Sequence, residues 1–330
     1  MRWGILGPGR ISRSFLTGLA GSATERSVAV GSRDLARARA VADDFGVPRA
    51  YGSYEDLLAD DGIDAVYIAL PNALHARWSD AAARAGRHVL CEKPLGRSPA
   101  EAEAMVAVAR EAGVRLMEAF MYRFHARTLR LAELVAAGDV GEIRLIRASF
   151  GFTVTDTANV RLSAELAGGA LMDVGCYPVN AARMLAGRPA TAAAVARWAA
   201  TGVDETLAGT LDHPGGAVSL VSCSLASGRH NEVQVVGTEG VVDVPDAFTP
   251  AKDRPSVLRI SRGARADDRA ELTFDPVDQY TAEAEGFARL VEAADDDAGL
   301  PRMPLEESLD NAATMDALLR SAREGRPAGV

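Results

Sequence analysis

The chain has 330 residues, which exceeds the usual size of a single hydrophobic core, so two domains are expected. Apolar residues make up 48% of the sequence and the mean hydropathy is near zero, as is typical of a soluble globular protein. The net charge is −9 and Lys and Arg are dispersed among Asp and Glu, which argues against nucleic acid as the main partner.

Cysteine usage and the N-terminal residues indicate the compartment. Cys91, Cys176 and Cys223 are widely spaced and contain no Cys-x-x-Cys pair, so neither a disulfide framework nor a zinc site is expected. The first residues read as a strand and a turn rather than a cleavable signal, and no apolar run approaches 18 residues. We therefore expect a cytoplasmic protein that does not associate with a membrane.

Short apolar strands and amphipathic helices alternate through the first third of the chain. Strands are predicted at 3–6, 27–31, 50–51, 65–70, 89–91 and 114–118. Helices are predicted at 11–20, 34–45, 72–85 and 98–111, with a further helix that starts at Ser53. This alternation with short loops predicts a doubly wound parallel sheet of the Rossmann type.

The pattern changes after a helix at 126–137. Strand-like segments follow at 143–152, 192–199, 206–212, 217–225, 232–237 and 240–244, several of them with period-two alternation. A helix at 169–185 interrupts them, helices return after residue 280, and the charged segment 250–269, with two prolines, is the best candidate for a mobile loop.

The expected fold class is therefore α/β with two domains. A Rossmann domain at 1–120 precedes an α+β domain at 121–330, whose C-terminal helix can pack back on the first domain. The second domain should contain a large, mainly antiparallel sheet with one open face, because few helices are predicted between residues 190 and 275 to cover it. We expect this face to form the interface of a homodimer or a higher homo-oligomer, burying outward apolar residues of 217–225 and 232–236.

The first strand runs into Gly7-Pro8-Gly9-Arg10-Ile11-Ser12, a strand-to-helix turn of the G-x-G-x-x-small type. The first glycine permits the tight turn, the second lets a pyrophosphate approach the backbone, and the helix N-terminus supplies amides and a dipole. An ordinary turn can have the same spacing, but its place between an apolar strand and a helix favours a dinucleotide site. The residues assigned to this site are Gly7, Pro8, Gly9, Arg10 and Ile11.

The end of the second strand, Gly31-Ser32-Arg33, indicates which dinucleotide binds. An Asp or Glu there would accept hydrogen bonds from the ribose 2′-hydroxyl and repel a 2′-phosphate. Ser32 can donate a hydrogen bond, and the guanidinium of Arg33 can lie over the adenine or pair with a phosphate. NADP is therefore favoured over NAD, and Asp34 is interpreted as the N-cap of the next helix.

Four segments, taken in this order, resemble the Gfo/Idh/MocA family of glucose–fructose oxidoreductase and inositol dehydrogenase. They are 7–12, Leu70-Pro71-Asn72-x-x-His75, Glu92-Lys93-Pro94 and 168–177. The resemblance covers essentially the whole chain, and the second pair of segments is specific in combination. Residues 51–55, 116–119 and 202–206, with tyrosine rather than histidine at 177, are most similar to the dihydrodiol/D-xylose dehydrogenase branch.

The resemblance implies that Lys93 is the active-site lysine and that Tyr177 is the proton donor and acceptor. An ammonium group would lower the pKa of a nearby phenol, which by itself titrates near ~10. Asp173 lies four residues before Tyr177, on the same face of a helix. It would bind a substrate hydroxyl or steady Lys93, with a helix cap as the alternative. Asn180 continues this polar line toward the substrate.

The family motifs also place further residues at the cofactor: Leu70, Asn72, His75 and Glu92. Asn72 can equally be a helix cap, and the five histidines lack metal-ligand spacing, so a metal site is not expected. Arg123 lies where the chain crosses between the domains. It can bind cofactor or substrate, and an interdomain salt bridge is an equal alternative.

Taken together, the resemblance implies an NADP-dependent oxidoreductase that transfers a hydride between nicotinamide and a carbinol or carbonyl carbon of a sugar or cyclic polyol. An aldose oxidised at C1 and a trans-dihydrodiol are the leading substrate classes. A keto-sugar reductase of natural-product sugar biosynthesis is the nearest alternative. A non-catalytic NADP-binding regulator is another, but it would not need both Lys93 and Tyr177, which favours the enzyme.

Overall fold

The computed structural model describes residues 1–263, 268–293 and 302–330, which group into two compact units. The first unit is formed by Met1–Phe124 with Val277–Ser308, and the second by His125–Pro276 with Leu309–Val330. The break after Phe124 lies close to the boundary expected after residue 120. Val277–Ser308, which was expected in the second domain, groups with the first unit, so the C-terminal part of the chain is divided between the two.

The described residues form helices and strands in both units. In chain order they are β1 (Arg2–Leu6), α1 (Arg10–Gly21), β2 (Arg26–Gly31), α2 (Leu35–Phe45), β3 (Arg49–Tyr51), α3 (Tyr54–Leu58), β4 (Ala65–Ile68), α4 (His75–Arg84), β5 (His88–Glu92), α5 (Pro99–Glu111), β6 (Leu116–Ala119), α6 (Ala126–Ala136), β7 (Ile143–Thr153), α7 (Cys176–Ala186), β8 (Thr191–Trp198), β9 (Asp204–Asp212), β10 (Val218–Ser224), β11 (Ala226–Gly237), β12 (Gly240–Pro245), β13 (Ser256–Arg262), β14 (Asp268–Phe274), α8 (Gln279–Glu292), α9 (Leu305–Glu324) and β15 (Ala328–Gly329). No helix among them is long and apolar enough to cross a membrane.

The first unit is built on a six-stranded sheet in the order β3-β2-β1-β4-β5-β6, with every neighbouring pair parallel. This is the doubly wound sheet that the alternating pattern predicts. Its core is aromatic: Phe15 stacks on Tyr67 at 3.9 Å, and Trp3 meets Phe15 edge-on. Because the strands are parallel, their carboxyl ends lie along one edge of the sheet, and the loops that leave β1, β2, β4 and β5 meet there.

Side-chain caps begin several helices of this unit, as the sequence predicts. The carboxylate of Asp34 accepts hydrogen bonds from the first-turn amides of α2, and the hydroxyls of Ser53 and Ser98 do the same for α3 and α5. The predicted helix at 72–85 instead opens with a short 3₁₀ turn, Asn72–Leu74, and continues as α4. Asn72 therefore lies in the turn that precedes the α-helix rather than at its N-cap.

The second unit contains a nine-stranded sheet in the order β14-β13-β12-β11-β7-β10-β9-β8-β15. Its described strand pairs are antiparallel except for β7 and β10, which run parallel, so the expectation of a mainly antiparallel sheet is confirmed. Helix α7 packs against β7 and β10 and covers one face of the sheet there. That face therefore supports the segment that carries the predicted catalytic tyrosine.

The prediction of a mobile loop at 250–269 is wrong for residues 256–262 and 268–269, which lie in strands β13 and β14. Strand β13 lies within it and pairs with both β12 and β14. Leu258 and Ile260 point inward and are fully buried, while Arg259 between them points outward and pairs with Glu271. The charged outward residues and the two prolines concealed this period-two pattern. Residues 264–267 of the predicted loop lie outside the described residues.

The other face of the nine-stranded sheet exposes apolar side chains from β8 and β10. Val195 is 73% exposed, and Val218 and Leu220 are each about 40% exposed. In β11 the outward positions are Glu232, Gln234 and the half-buried Val236, whereas Val233 and Val235 are buried. Val236 lies in register with Leu145, and Leu145 with Val218, so the apolar part of the open face continues from β10 through β7 into β11.

Candidate active site

The turn after β1 has the shape that the glycine spacing predicts. Gly7 has φ of +96°, and a Cβ at this position would lie 2.7 Å from Leu70 Cδ2 and 3.0 Å from the carbonyl oxygen of Ala69. Only glycine tolerates both this dihedral angle and this proximity. The buried hydroxyl of Ser12 donates a hydrogen bond to the carbonyl oxygen of Gly7, so the third small residue of the motif also stabilises the turn.

The N-terminus of α1 is open to a ligand. Its N-cap is Gly9, which supplies no side-chain hydrogen bond, and a Cβ there would meet only the Ala69 carbonyl oxygen, at 3.8 Å. Helix α2 is different, because the Asp34 carboxylate occupies its first-turn amides. The amides of the first turn of α1 therefore remain available to an anion and lie at the positive end of a 12-residue helix. This arrangement fits the pyrophosphate of a dinucleotide.

The end of β2 carries cations and no unengaged carboxylate. Ser32 is buried, and its hydroxyl accepts a hydrogen bond from the amide of Asp34. Arg33 is exposed and lies near the phenol of Tyr54. Burial raises the pKa of Tyr54, while the positive charges of Arg33 and Arg37 act in the opposite direction. Arg37 lies near the same phenol and was not identified from the sequence, although its position four residues after Arg33 was a usable signal.

His75 connects two loops at the carboxyl edge of the sheet. Its ring is fully buried, with Nδ1 2.8 Å from the carbonyl oxygen of Pro94 and Nε2 2.9 Å from that of Leu70. Burial lowers the pKa of His75 below its usual value. Because the ring has no exposed surface, it is placed to hold the loops after β4 and β5 together rather than to contact a cofactor directly.

Glu92 anchors the loop that carries Lys93. The carboxylate of Glu92 is buried, accepts a short hydrogen bond from the hydroxyl of Tyr67, and accepts another from the amide of Lys93 at 3.2 Å. Two residues beyond Lys93, the amide of Leu95 donates to Glu118 Oε1 at 2.9 Å. Lys93 itself is half-buried. Carboxylates on both sides of it therefore hold the main chain of the predicted active-site lysine.

The sequence predicts one continuous α-helix at 169–185, and the structure does not have it in the segment that carries Asp173 and Tyr177. A π-helical turn, Leu171–Gly175, comes first, in which the amide of Cys176 donates to the carbonyl oxygen of Leu171, and α7 follows. Such turns contain more residues than an α-helical turn and occur often at functional sites. The spacing of four residues therefore does not stack Asp173 directly beneath Tyr177 as it would in an α-helix.

Asp204 supports the start of this segment. Its carboxylate is almost fully buried and accepts a hydrogen bond from the amide of Leu171 at 2.7 Å. Gly169 has φ of +120°, and a Cβ there would overlap Asp204 Oδ1. Burial is the main reason why the pKa of Asp204 is raised to about 6. The close contact explains physically why glycine precedes the π turn.

Tyr177 lies in an aromatic cluster of the second unit. It is 5% exposed, and its ring centroid is 5.5 Å from that of Phe150 and 5.4 Å from that of Phe248. Phe248 is held in turn, because its amide donates to Asn231 Oδ1 at 2.9 Å. The buried guanidinium of Arg127 donates to the carbonyl oxygens of residues 245–247 just before it. The position of the Tyr177 ring is therefore determined by buried packing.

Asp173 has a partner that the sequence did not reveal. Arg161 Nε donates to Asp173 Oδ2 at 2.6 Å. The sequence left open whether Asp173 binds substrate, steadies Lys93 or caps the helix, and the ion pair adds Arg161 to its surroundings. Asn180, the last member of the predicted polar line, has no exposed surface. No periodic spacing links residues 161 and 173, so only the fold brings them together.

Arg123 is buried and forms an ion pair with the half-buried Glu307. Its Nη1 is 2.6 Å from Glu307 Oε2 and 3.2 Å from the sulfur of Met303. Both partners belong to the first unit, as Arg123 does, so this salt bridge is not interdomain. A carboxylate of the same unit thus engages the guanidinium for which we expected a role in cofactor or substrate binding.

Comparison with known protein families identifies the chain. The model of an oxidoreductase family with an NAD-binding Rossmann fold matches residues 1–120. The model of the GFO/IDH/MocA C-terminal domain matches residues 128–243. The chain belongs to the GFO/IDH/MocA oxidoreductase family, which confirms the resemblance seen in its motifs.

Individual relatives match three quarters or more of the chain. It is 43% identical over 327 residues to D-xylose 1-dehydrogenase (NADP(+)) 2 of Haloferax volcanii, which covers 98% of both chains. It is 39% identical over 258 residues to trans-1,2-dihydrobenzene-1,2-diol dehydrogenase of Mus musculus, covering 76% of this chain and 77% of the relative. Among solved structures, a 3-ketoreductase from Actinomadura kijaniata in complex with NADP and TDP-benzene superimposes with a TM-score of 0.89, at 32% identity over 97% of both chains.

Proposed function

We propose that this protein is an NADP-dependent dehydrogenase that oxidises a carbinol carbon of a sugar or cyclic polyol, with an aldose oxidised at C1 as the leading substrate and a trans-dihydrodiol as the next. The observation that supports this proposal most directly is that the chain, which is 43% identical to an NADP-dependent D-xylose dehydrogenase, has both Lys93 and Tyr177. Lys93 follows β5 at the carboxyl edge of the parallel sheet, and Tyr177 begins α7 within a buried aromatic cluster. A non-catalytic regulator would need neither side chain, so that alternative is not favoured.

The residues at the edge of the first sheet fit NADP. The uncapped first turn of α1 would hold the pyrophosphate, and the exposed Arg33 and Arg37 would pair with the 2′-phosphate. Leu70 and Asn72, in the loop after β4, would lie toward the nicotinamide half. When bound, NADP supplies the hydride acceptor.

The side chains of the protein perform the proton chemistry. Tyr177 Oη takes the proton of the substrate hydroxyl as the hydride leaves its carbon, and returns it in the reverse direction. The Lys93 ammonium stabilises the phenolate form of Tyr177, which a phenol alone does not reach at neutral pH. Asp173 binds a substrate hydroxyl, and Glu92 with His75 holds the loop of Lys93 in place.

A substrate screen tests this function. Wild-type protein is incubated with NADP or NAD and a panel of D-xylose, D-glucose and a trans-dihydrodiol, and reduced nicotinamide is followed by absorbance. We expect NADP reduction with a neutral aldose, with D-xylose among the best substrates, and none with Tyr177→Phe purified in parallel. Binding of NADP without turnover on any substrate, in either direction, would support the regulator instead.

The same screen in the reductive direction tests keto-sugar reduction, which the structural similarity to a 3-ketoreductase favours as the second candidate. A dehydrogenase that acts on aldoses should turn over faster with an aldose and NADP than with a keto-sugar and NADPH. Faster NADPH oxidation with a keto-sugar than NADP reduction with every aldose would therefore assign this second function.

We further propose a homodimer in which the open face of the nine-stranded sheet is the interface. The exposed apolar side chains of β8 and β10 support it, as does a groove of about 1140 Å³ on this face, lined in part by Val195 and Leu220.

A cytoplasmic location is also proposed. The three cysteines, which are buried and reduced, support it.

A further inference from the structure

Arg161 is the side chain near the proposed catalytic residues that no motif assigned. It lies on a short 3₁₀ turn, Val160–Leu162, between β7 and the π turn. Its Nε donates to Asp173 Oδ2 at 2.6 Å, and its Nη1 lies 3.4 Å from Asn159 Oδ1. Among the residues that the structure describes, no group accepts a hydrogen bond from its Nη2. The side chain is 39% exposed, so part of the guanidinium faces the solvent beside a much less exposed carboxylate.

The guanidinium is held in one orientation, unlike an ordinary surface arginine. Asn159 accepts a hydrogen bond from the amide of Arg161 at 3.1 Å and so caps the 3₁₀ turn. The carbonyl oxygen of Arg161 accepts from the amide of Gly169 at 2.8 Å, which ties the turn to the beginning of the segment with Asp173 and Tyr177. The guanidinium also lies over the ring of Phe152, 5.8 Å from its centroid. The donor geometry therefore exists before any ligand binds.

The charges of the Arg161–Asp173 pair determine which kind of ligand it can bind. A sugar hydroxyl both donates and accepts hydrogen bonds, so neighbouring hydroxyls match a guanidinium donor next to a carboxylate acceptor. An anionic group gains less, because the attraction of Arg161 is opposed by the negative charge of Asp173 only 2.6 Å from it. A guanidinium without such a carboxylate would instead favour phosphate.

We propose that Arg161 is a substrate-binding residue whose Nη2 donates to a sugar hydroxyl, and that with Asp173 it selects neutral polyhydroxylated substrates over phosphorylated ones. This inference rests on the proposed function, since it takes the substrate of that same site to be a sugar. A purely structural role, in which Arg161 only fixes the turn before the π turn, would not discriminate between sugars.

The test compares Arg161→Gln and Arg161→Lys with the wild type and with a matched control, Arg320→Gln. Arg320 makes an Nε–carboxylate ion pair of 2.7 Å with Asp316 on α9 and is similarly exposed. Calorimetry measures the Kd of the NADPH complex for D-xylose, D-glucose, their monodeoxy analogues and D-glucose 6-phosphate. The Kd for NADPH and the melting temperature of each variant establish that it is folded.

We expect Arg161→Gln to raise the Kd for the neutral sugar by about ten- to a hundredfold, the effect of one charge-assisted hydrogen bond. For one monodeoxy analogue the wild type should show a loss of the same size, whereas Arg161→Gln should bind that analogue and the parent sugar equally. Arg161→Lys should bind the sugar with intermediate affinity, and Arg320→Gln should match the wild type. NADPH affinity should stay unchanged throughout.

Several results would overturn the assignment. For Arg161→Gln they are an equal loss of affinity for every sugar and analogue, or an affinity for the sugar that does not change. For the wild type they are tighter binding of D-glucose 6-phosphate than of any neutral sugar, or no binding of neutral sugars at all. Sugar binding that depends on Arg161 without any NADP reduction would leave this inference standing and refute the proposed dehydrogenase activity.

Discussion

The buried carboxyl group of Asp204 makes a quantitative prediction about pH and stability. The usual pKa of an aspartate is 3.8, and burial raises that of Asp204 to about 6 in the folded protein. The folded state therefore holds this proton more tightly than the unfolded chain does. The contribution of Asp204 to stability is greatest below pH about 4, falls as the pH rises toward 6, and is constant above it. The loss amounts to about 3 kcal/mol in total, with roughly half of it between pH 5 and pH 7.

The perturbation is Asp204→Asn, which removes the charge but keeps an oxygen that can accept the hydrogen bond from the amide of Leu171. The free energy of unfolding of both proteins is measured by urea denaturation from pH 4 to pH 8. We expect the stability of Asp204→Asn relative to the wild type to rise by about 2–3 kcal/mol across this range. Any constant cost of replacing one carboxylate oxygen by an amide group cancels from this difference.

Asp204→Ala provides the contrast, because it leaves the buried amide of Leu171 without its acceptor. It should lie below Asp204→Asn by about 1–3 kcal/mol at every pH, the cost of an unsatisfied buried donor. A stability difference between Asp204→Asn and the wild type that does not change with pH would refute the reasoning. It would mean that Asp204 is ionised throughout and that its bonds to the backbone outweigh its burial.

Three further predictions follow from the proposed sites. Tyr177→Phe and Lys93→Ala should each lower kcat by about 10²–10⁴ with NADP affinity nearly intact, and the double variant should be little worse than the worse single one; steady-state kinetics that show additive losses would separate the two residues. Arg33→Ala should weaken NADP binding by about ten- to a hundredfold, far more than it weakens NAD binding, and fluorescence titrations in which both cofactors weaken equally would contradict a 2′-phosphate contact. Leu220→Glu should convert the proposed dimer into a monomer, so a wild type that is already monomeric by light scattering at micromolar concentration would count against the sheet interface.

Local features of the sequence determined much of this protein. The alternation of short apolar strands with amphipathic helices is enough to predict the parallel sheet, because the burial of a strand on both faces leaves few polar positions in it. Gly7 and the caps at Asp34, Ser53 and Ser98 were predictable for the same kind of reason. Each depends on dihedral angles or hydrogen bonds within a few residues, which neighbouring letters specify.

The features that only the tertiary structure decided depend on contacts between distant segments. The strand β13 exists because β12 and β14 flank it, and its charged outward residues then face solvent, so composition alone favoured a loop. The π turn begins where the carboxylate of Asp204, 33 residues away, accepts the amide of Leu171. Propensity favours a continuous helix there, and tertiary packing overrides it.

The same distinction applies to the candidate site, where local sequence predicts some residues and only the fold brings the others together. Motif spacing was sufficient to propose Lys93 and Tyr177 as the catalytic pair, because each follows a strand end or a glycine pair that the sequence shows directly. The ion pair of Arg123 with Glu307 spans 184 residues, and that of Arg161 with Asp173 spans 12 without any helical or strand period. No local rule specifies the partner of a charged side chain at such separations, since the energy of the pair depends on distance and burial in the folded chain. Those partners were therefore decided by the fold.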